Sequence, residues 1–213
     1  MSDPETLPPA QAAELLCRQE MLQAEAQSVL TELDLGKLLT TVGSFRQTGS
    51  SALGLMVWRD IDLAVSSPNL SIEHAYESMR PLYTHPAVKQ VRYLNESNFF
   101  NPTGLQKDER YFFMVFYSTP EGLEWKIDIS FWLGEGIHPE PVHDAIEQQL
   151  TPETRLAILW IKDIWFQLPT YRNGVYSTDI YDAVLQYGVR TPGEFERYLA
   201  LQGKPTGARG SHL

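Results

Sequence analysis

The feature that most constrains the fold is a central block of four short segments, dense in aromatic and β-branched residues, enclosed by stretches of helical pattern. Such a composition is typical of β-strands. A Thr-Pro-Glu-Gly sequence separates the last two segments and predicts a hairpin turn between them. The four predicted strands are residues 45–48, 60–65, 110–118 and 123–133.

The flanking sequence repeats its apolar residues at helical spacing, and after Gly136 every predicted element is a helix. Pro139 and Pro141 are interpreted as part of a loop that precedes these last helices. The pattern predicts an α+β fold with a short mixed sheet flanked by helices, followed by a C-terminal helical lobe. The predicted helices are residues 9–35, 35–42, 71–82, 151–168, 177–187 and 191–201. We divide the chain into an N-terminal helical segment (1–35), a mixed-sheet core (36–136), the helical lobe (137–203) and a flexible tail (204–213).

Charge and composition narrow the classes of partner. The 213 residues carry a formal net charge of −10 without a cluster of Lys and Arg, which disfavours a long nucleic acid as substrate. No apolar run approaches the roughly 20 residues of a membrane span, and no targeting signal is present, so we expect a cytoplasmic protein without a membrane partner. The single cysteine, Cys17, lies in a predicted helix and is interpreted as a packing residue.

Two aspartates stand on one predicted strand. In Asp60-Ile61-Asp62, strand geometry turns both carboxylates to one face and the intervening isoleucine to the other. Two like charges at this separation resist joint ionisation, and a divalent cation relieves that repulsion. The pair therefore predicts a metal site.

A third carboxylate, Asp128, lies in another strand of the same alternating kind. Ile127 and Ile129 point to one face there, while Lys126 and Asp128 point to the other. If the two strands are neighbours, three carboxylates meet above the sheet as the ligand set of two-metal phosphoryl chemistry. Lys126 is then placed to neutralise charge beside Asp128.

A glycine turn precedes the first aspartate pair. Gly49 allows the backbone to approach a ligand closely, and a helical turn after it would aim N–H groups and the Ser50 hydroxyl at a phosphate. The turn therefore predicts a phosphate-binding element beside the metal site.

The combination of Gly49-Ser50, nine intervening residues, Asp60-Ile61-Asp62 and a later isolated aspartate in an apolar strand resembles the nucleotidyltransferase superfamily. That superfamily includes DNA polymerase beta, poly(A) polymerases and antibiotic nucleotidyltransferases. The local pattern Gly49-Ser50-x-Ala52-x-Gly54 is similar to its small bacterial members. The resemblance covers chiefly residues 42–133, and the helical lobe matches only in architecture.

By that resemblance, Asp60 and Asp62 would bind two magnesium ions, and Asp128 would bind one of them and help to activate an acceptor hydroxyl. Ser50 would contact the terminal phosphates of a nucleoside triphosphate such as ATP. The sequence departs from the usual pattern in its apolar bridge before Arg59, which we expect an N-terminal helix to bury. The interval 66–109 is longer than a small member needs and is interpreted as an insertion.

Three residues of the helical lobe are further candidates for binding the nucleotide. Lys162 lies in an apolar helix from which it could reach a triphosphate, although a snorkelling surface lysine explains it as well. Tyr176 and Ser177 resemble positions that stack on or hydrogen-bond the nucleotide in poly(A)-polymerase-like members. An ordinary helix cap at Ser177 is the alternative interpretation.

Other interpretations of the aspartates stay open at this stage. A solvated strand edge explains an isolated Asp-x-Asp, and a glycosyltransferase motif does not require the Gly-Ser turn. A haloacid dehalogenase would place Thr or Val where Ala64 stands. The sequence as a whole predicts a magnesium-dependent nucleotidyltransferase that acts on a small molecule or a protein hydroxyl. The alternative is an inactive, antitoxin-like member that binds or regulates.

Overall fold

The computed structural model of the protein describes residues 6–133 and 140–207. The chain divides into two compact units, one of Met1–Glu20 with Ala145–Leu213 and the other of Met21–Asp144. The first helix, α1 (Pro9–Glu32), contributes residues to both. The boundaries predicted from the sequence at residues 35, 136 and 203 stay predictions.

The second unit, Met21–Asp144, contains a five-stranded sheet with the order β1-β2-β5-β4-β3. The strands β2 and β5 pair in parallel, and every other neighbouring pair is antiparallel. This sheet with its flanking helices confirms the α+β class and the short mixed sheet. The strands are β1 (Ser44–Thr48), β2 (Asp60–Ser66), β3 (Val88–Glu96), β4 (Arg110–Ser118) and β5 (Glu124–Trp132).

The strand β3 is the strand that the sequence analysis missed, because it lies in the interval interpreted as an insertion. It forms one edge of the sheet and is half-buried or exposed along its whole length. An edge strand of this kind carries polar residues on both faces, so the alternation that marks the inner strands is absent. The interval 66–109 therefore contributes to the sheet itself.

The six helices predicted from the sequence agree with the structure within a few residues, whereas α5 (Glu140–Gln149) was not predicted. Ser71, where the predicted helix 71–82 begins, caps α4 (Ile72–Tyr83) by accepting from the His74 N–H. Pro141 lies within α5, so the predicted loop is wrong at that residue, while His138 and Pro139 lie outside the described residues. The remaining helices are α2 (Leu35–Thr40), α3 (Gly49–Leu53), α4 (Ile72–Tyr83), α5 (Glu140–Gln149), α6 (Pro152–Trp165), α7 (Ser177–Gln186) and α8 (Pro192–Leu201).

One face of the sheet is covered by α1 and α4 and forms the core of the second unit. Alternate residues of β2 and β5 point into this core, and the residues between them point to the opposite face. Burial of the apolar set therefore fixes which side of the sheet the aspartates occupy. The buried strand residues are Ile61, Leu63, Val65, Trp125, Ile127, Ile129 and Phe131.

The first unit packs α6, α7 and α8 around apolar side chains such as Ile158, Ile180 and Phe195. Thr151 and Thr191 cap α6 and α8 through their hydroxyls, at the Thr-Pro positions that predicted these helix starts. Cys17, on α1, is exposed, so its interpretation as a packing residue is wrong. No helix among the described residues has the length and apolar character needed to cross a membrane.

The phenol of Tyr117 in β4 makes the free energy of unfolding of the second unit vary with pH in the alkaline range. Burial, with a smaller effect of the Glu32 carboxylate, raises the pKa of Tyr117 from 10.0 to about 12. The neutral phenol thus stabilises the folded state fully below pH 10, and this contribution is lost as the pH rises towards 12. We expect Tyr117→Phe to flatten the fall of urea-unfolding free energy over this range. An equally steep fall in the variant would contradict the assignment.

Candidate active site

The parallel pairing of β2 with β5 brings the three aspartates together. Asp62 lies directly beside Asp128, and Asp60 lies beside Lys126 in the same register. Neighbouring strands are about 4.8 Å apart, so the three carboxylates lie within one small area of the face opposite the core. The structure therefore places the predicted metal ligands as neighbours, and their role as ligands stays a prediction.

Lys126 joins two of these carboxylates. Its Nζ lies 3.4 Å from Asp60 Oδ1 and also contacts Asp128 Oδ2. Trp58 Nε1 donates to the other oxygen of Asp60 over 3.1 Å. Asp60, with 8% of its surface exposed, thus receives both a charged and a neutral donor. These contacts offset the repulsion among the aspartates and fix the Asp60 side chain.

The glycine turn packs directly against the Asp62 carboxylate. Gly49 has a left-handed φ of 64°, and a Cβ at this position would lie 2.1 Å from Asp62 Oδ2. Only glycine combines this backbone angle with such a close approach. Ser50 follows in the short helix α3, and its hydroxyl has no hydrogen-bond partner within residues 6–133 and 140–207. Phosphate binding by this turn remains a prediction.

Side chains of α1 contact both the short helix after the glycine turn and the residue before Asp60. Gln23 Nε2 donates to the Ser51 carbonyl over 2.7 Å, and Arg59 pairs with both oxygens of Glu25 over 2.9 and 3.3 Å. The apolar bridge before Arg59 is buried, and its Met56 belongs to the same core as the α1 side chains. Gln23, Glu25 and Trp58 are residues that the sequence analysis missed. A helical pattern does not show which distant segment its polar residues contact, and Trp58 was interpreted only as part of the apolar bridge.

Lys162 belongs to the helical unit and is fully buried there. Its Nζ lies 3.3 Å from the Tyr181 hydroxyl and 5.6 Å from the centre of that ring. The interpretation as a snorkelling surface lysine is therefore wrong. A buried ammonium requires polar or aromatic partners, and Tyr181 supplies both kinds. Contact of Lys162 with a nucleotide remains a prediction.

Tyr176 and Ser177 lie at the start of α7 in the helical unit. Tyr176 occupies the cap position, with 50% of its surface exposed, and its N–H donates to Asp179 Oδ2 over 3.0 Å. Ser177 is the first helical residue, so its interpretation as the cap is wrong. Its hydroxyl lies 2.6 Å from the Tyr171 hydroxyl. The exposed ring of Tyr176 suits stacking on a base, and both nucleotide contacts remain predictions.

The three aspartates together have the chemistry of a magnesium site. Oxygen ligands from carboxylates are those that Mg²⁺ prefers, and Asp60, Asp62 and Asp128 supply them from two adjacent strands. The close approach of Gly49 adds a backbone turn beside Asp62. The types of donor therefore agree with the two-ion arrangement that the resemblance implies, and binding of the ions stays a prediction.

Comparison with known proteins finds similarity of structure only. No family model matches the sequence, and no curated protein matches it. The chain superposes on Cid1, described as having RNA terminal uridylyl transferase activity, with 15% identity, a TM-score of 0.56, and coverage of 78% of this chain and 47% of that one. It also superposes on a cytoplasmic RNA terminal U-transferase, with 16% identity, a TM-score of 0.53, and coverage of 82% of this chain and 54% of that one.

These two solved structures are nucleotidyltransferases, and the likeness shows that the protein has the nucleotidyltransferase fold. The resemblance read from the Gly-Ser turn and the three aspartates is thereby confirmed at the level of the fold. The chain spans about half the length of each of these structures.

The contact between the glycine turn and Asp62 can be tested by a matched pair of alanine variants. Gly49 and Gly122 both have positive φ, so alanine strains the backbone at each by about 1 kcal/mol. Only at Gly49 does the added Cβ overlap a carboxylate, while nothing lies within 4 Å at Gly122. We expect Gly49→Ala to lose more unfolding free energy in urea than Gly122→Ala, and to lose magnesium-dependent thermal stabilisation. Equal losses would contradict the close packing.

Proposed function

We propose that the protein is a magnesium-dependent nucleotidyltransferase, which moves a nucleoside monophosphate from a nucleoside triphosphate to an acceptor hydroxyl. The acceptor oxygen attacks the α-phosphate, and pyrophosphate leaves. The observation that carries the proposal is the β2–β5 register, which puts Asp62 beside Asp128 while the Gly49 turn packs on Asp62. Carboxylates from two strands and a glycine turn at one of them are the parts that nucleotidyl transfer requires.

In this proposal Asp60, Asp62 and Asp128 would hold two magnesium ions. When bound, such ions stabilise charge on the attacking and leaving oxygens of an in-line displacement. The Gly49-Ser50 turn would hold the terminal phosphates, with backbone N–H groups and the Ser50 hydroxyl as donors. Asp128 would lie nearest the acceptor hydroxyl and would accept its proton.

Lys126 has a distinct part in the proposal. Its ammonium contacts Asp60 and Asp128 and holds these carboxylates close together. The ligand set is therefore organised before any ion arrives, which lowers the free energy needed to gather like charges. The same ammonium is placed to attract the negatively charged triphosphate.

The solved structures support nucleotidyl transfer as the class of reaction, and their descriptions name RNA terminal uridylyl transfer for those proteins. The acidic composition led us to expect a small molecule or a protein hydroxyl as the acceptor instead. Contact of the nucleotide with Lys162, Tyr176 and Ser177, and a cytoplasmic location, are further parts of the proposal.

A second candidate function is an inactive, regulatory member of the fold. The favouring observation is Lys126 itself, because an ammonium that already neutralises two carboxylates can serve a site without a metal. Binding of triphosphates that depends on magnesium separates the two functions.

Asp62→Asn removes one carboxylate with almost no change in shape. We expect it to lower transfer of labelled monophosphate from a triphosphate by about 100-fold or more, since metal-ion stabilisation contributes several kcal/mol and each 1.4 kcal/mol is about tenfold. Asp108→Asn, at the end of the short 3-10 helix Gln106–Asp108 before β4, is the control and should retain full activity.

Thermal unfolding with each of the four triphosphates, with and without magnesium, gives an independent measurement. Magnesium-dependent stabilisation of the wild type, lost in Asp62→Asn, is the expected result. A wild-type protein that neither transfers the label nor responds to any triphosphate would support the regulatory alternative.

A further inference from the structure

The face of the sheet that carries the aspartates continues onto β4 and β3. Asp128 pairs with Met114, and Met114 pairs with Arg92 on the edge strand. In the neighbouring row, Lys126 pairs with Phe116. Directly paired residues point to the same face, so Arg92 lies two strands, about 10 Å, from Asp128 on the same surface.

Two arginine–aromatic stacks cover this part of the sheet. The Arg92 guanidinium lies 5.0 Å from the centre of the Phe116 ring, and the Arg110 guanidinium lies 4.2 Å from that of Phe112. Arg110 is also 5.2 Å from the centre of a Trp132 ring. We call the surface formed by Arg92, Arg110, Phe112, Met114 and Phe116 the outer sheet face.

The two arginines differ in charge balance. Arg110 pairs with Glu96 over 2.6 Å and donates to the Ser130 hydroxyl over 2.8 Å, so its plane is fixed and its charge is neutralised. Arg92 is exposed, and in the described part of the chain it has no carboxylate partner. Its charge is therefore open to an anionic ligand, beside an apolar surface on which Leu94 is 45% exposed.

We propose that the outer sheet face binds the acceptor, and that the acceptor is the hydroxyl-bearing end of a single-stranded nucleic acid. The inference rests on the proposed function, which sets the reacting hydroxyl at Asp128. Bases of single strands stack on aromatic rings and on arginine planes, and phosphates pair with arginine. The outer sheet face offers both kinds of partner in a line that leads away from Asp128.

The charges of this face select among acceptors. A polycationic amino sugar would be repelled by Arg92, whereas a phosphate-bearing ligand is attracted to it. Two separate stacks give room for more than one base, which favours a strand over a mononucleotide. This local chemistry replaces the small-molecule acceptor expected from the net charge of −10. The acidic remainder of the protein makes the binding weak and sensitive to salt.

Fluorescence anisotropy of a labelled, unstructured 15-nucleotide RNA tests the proposal with the full chain at low salt, in EDTA and without triphosphate. We expect Arg92→Gln to weaken binding about 5- to 10-fold and to reduce the salt dependence by about one phosphate contact. Phe116→Leu keeps an apolar side chain but removes the ring, and should weaken binding several-fold. Arg80→Gln, on α4 and 75% exposed at its side chain, is the matched control and should bind as the wild type.

Three results would overturn the acceptor proposal: a wild type that does not bind the RNA, an Arg92→Gln variant that binds it unchanged, or a mononucleotide that competes as well as the strand. The proposed function fails separately. Because the binding assay needs neither metal nor triphosphate, Asp62→Asn should bind RNA normally. If RNA binding depends on Arg92 but no transfer occurs, only the proposed enzymatic activity is refuted. If Asp62-dependent transfer to a small hydroxyl compound occurs but RNA does not bind, only the proposed acceptor is refuted.

Discussion

The parallel pairing of β2 with β5 is the interaction on which the rest of the candidate site depends. These strands are remote in sequence, and their register alone decides that Asp62 meets Asp128 and that Asp60 meets Lys126. The apolar residues between them, such as Ile61 and Ile127, hold this register, because a slip by one residue would turn every carboxylate into the core. Hydrophobic burial on one face therefore specifies the polar geometry on the other.

Much of this arrangement could be predicted from the sequence. Alternation assigned the face of each aspartate, and the Thr-Pro pairs marked the starts of two helices. That β2 and β5 are neighbours could only be assumed, since periodicity describes one strand at a time, and their parallel direction was not predicted. The strand β3 was missed because the residues of an edge strand do not alternate clearly between apolar and polar. Without β3 in the prediction, the outer sheet face could not be predicted either. The burial of Lys162 escaped prediction because the hydroxyl that it meets comes from another helix.

Lys126 connects the two main interpretations of the molecule. An ammonium between carboxylates is compatible with a ligand set organised in advance for magnesium, and equally with a site that has its own permanent cation. The outer sheet face indicates a ligand, because an arginine with no acidic partner among the described residues, beside aromatic rings, serves a ligand better than it serves stability. Such a face suits the acceptor of an enzyme and the ligand of a binding member alike, so the chemistry at the three aspartates is what separates the alternatives.

The contacts of α1 bear on how the protein can be shortened. The Glu25 carboxylate pairs with Arg59, which immediately precedes Asp60. Gln23 donates a hydrogen bond to the Ser51 carbonyl, just after the glycine turn. A fragment beginning at residue 36 keeps all five strands and the candidate ligands Asp60, Asp62 and Asp128, yet it lacks both of these contacts. Crystals or binding data from such a trimmed version would report on a loosened loop rather than on the native one.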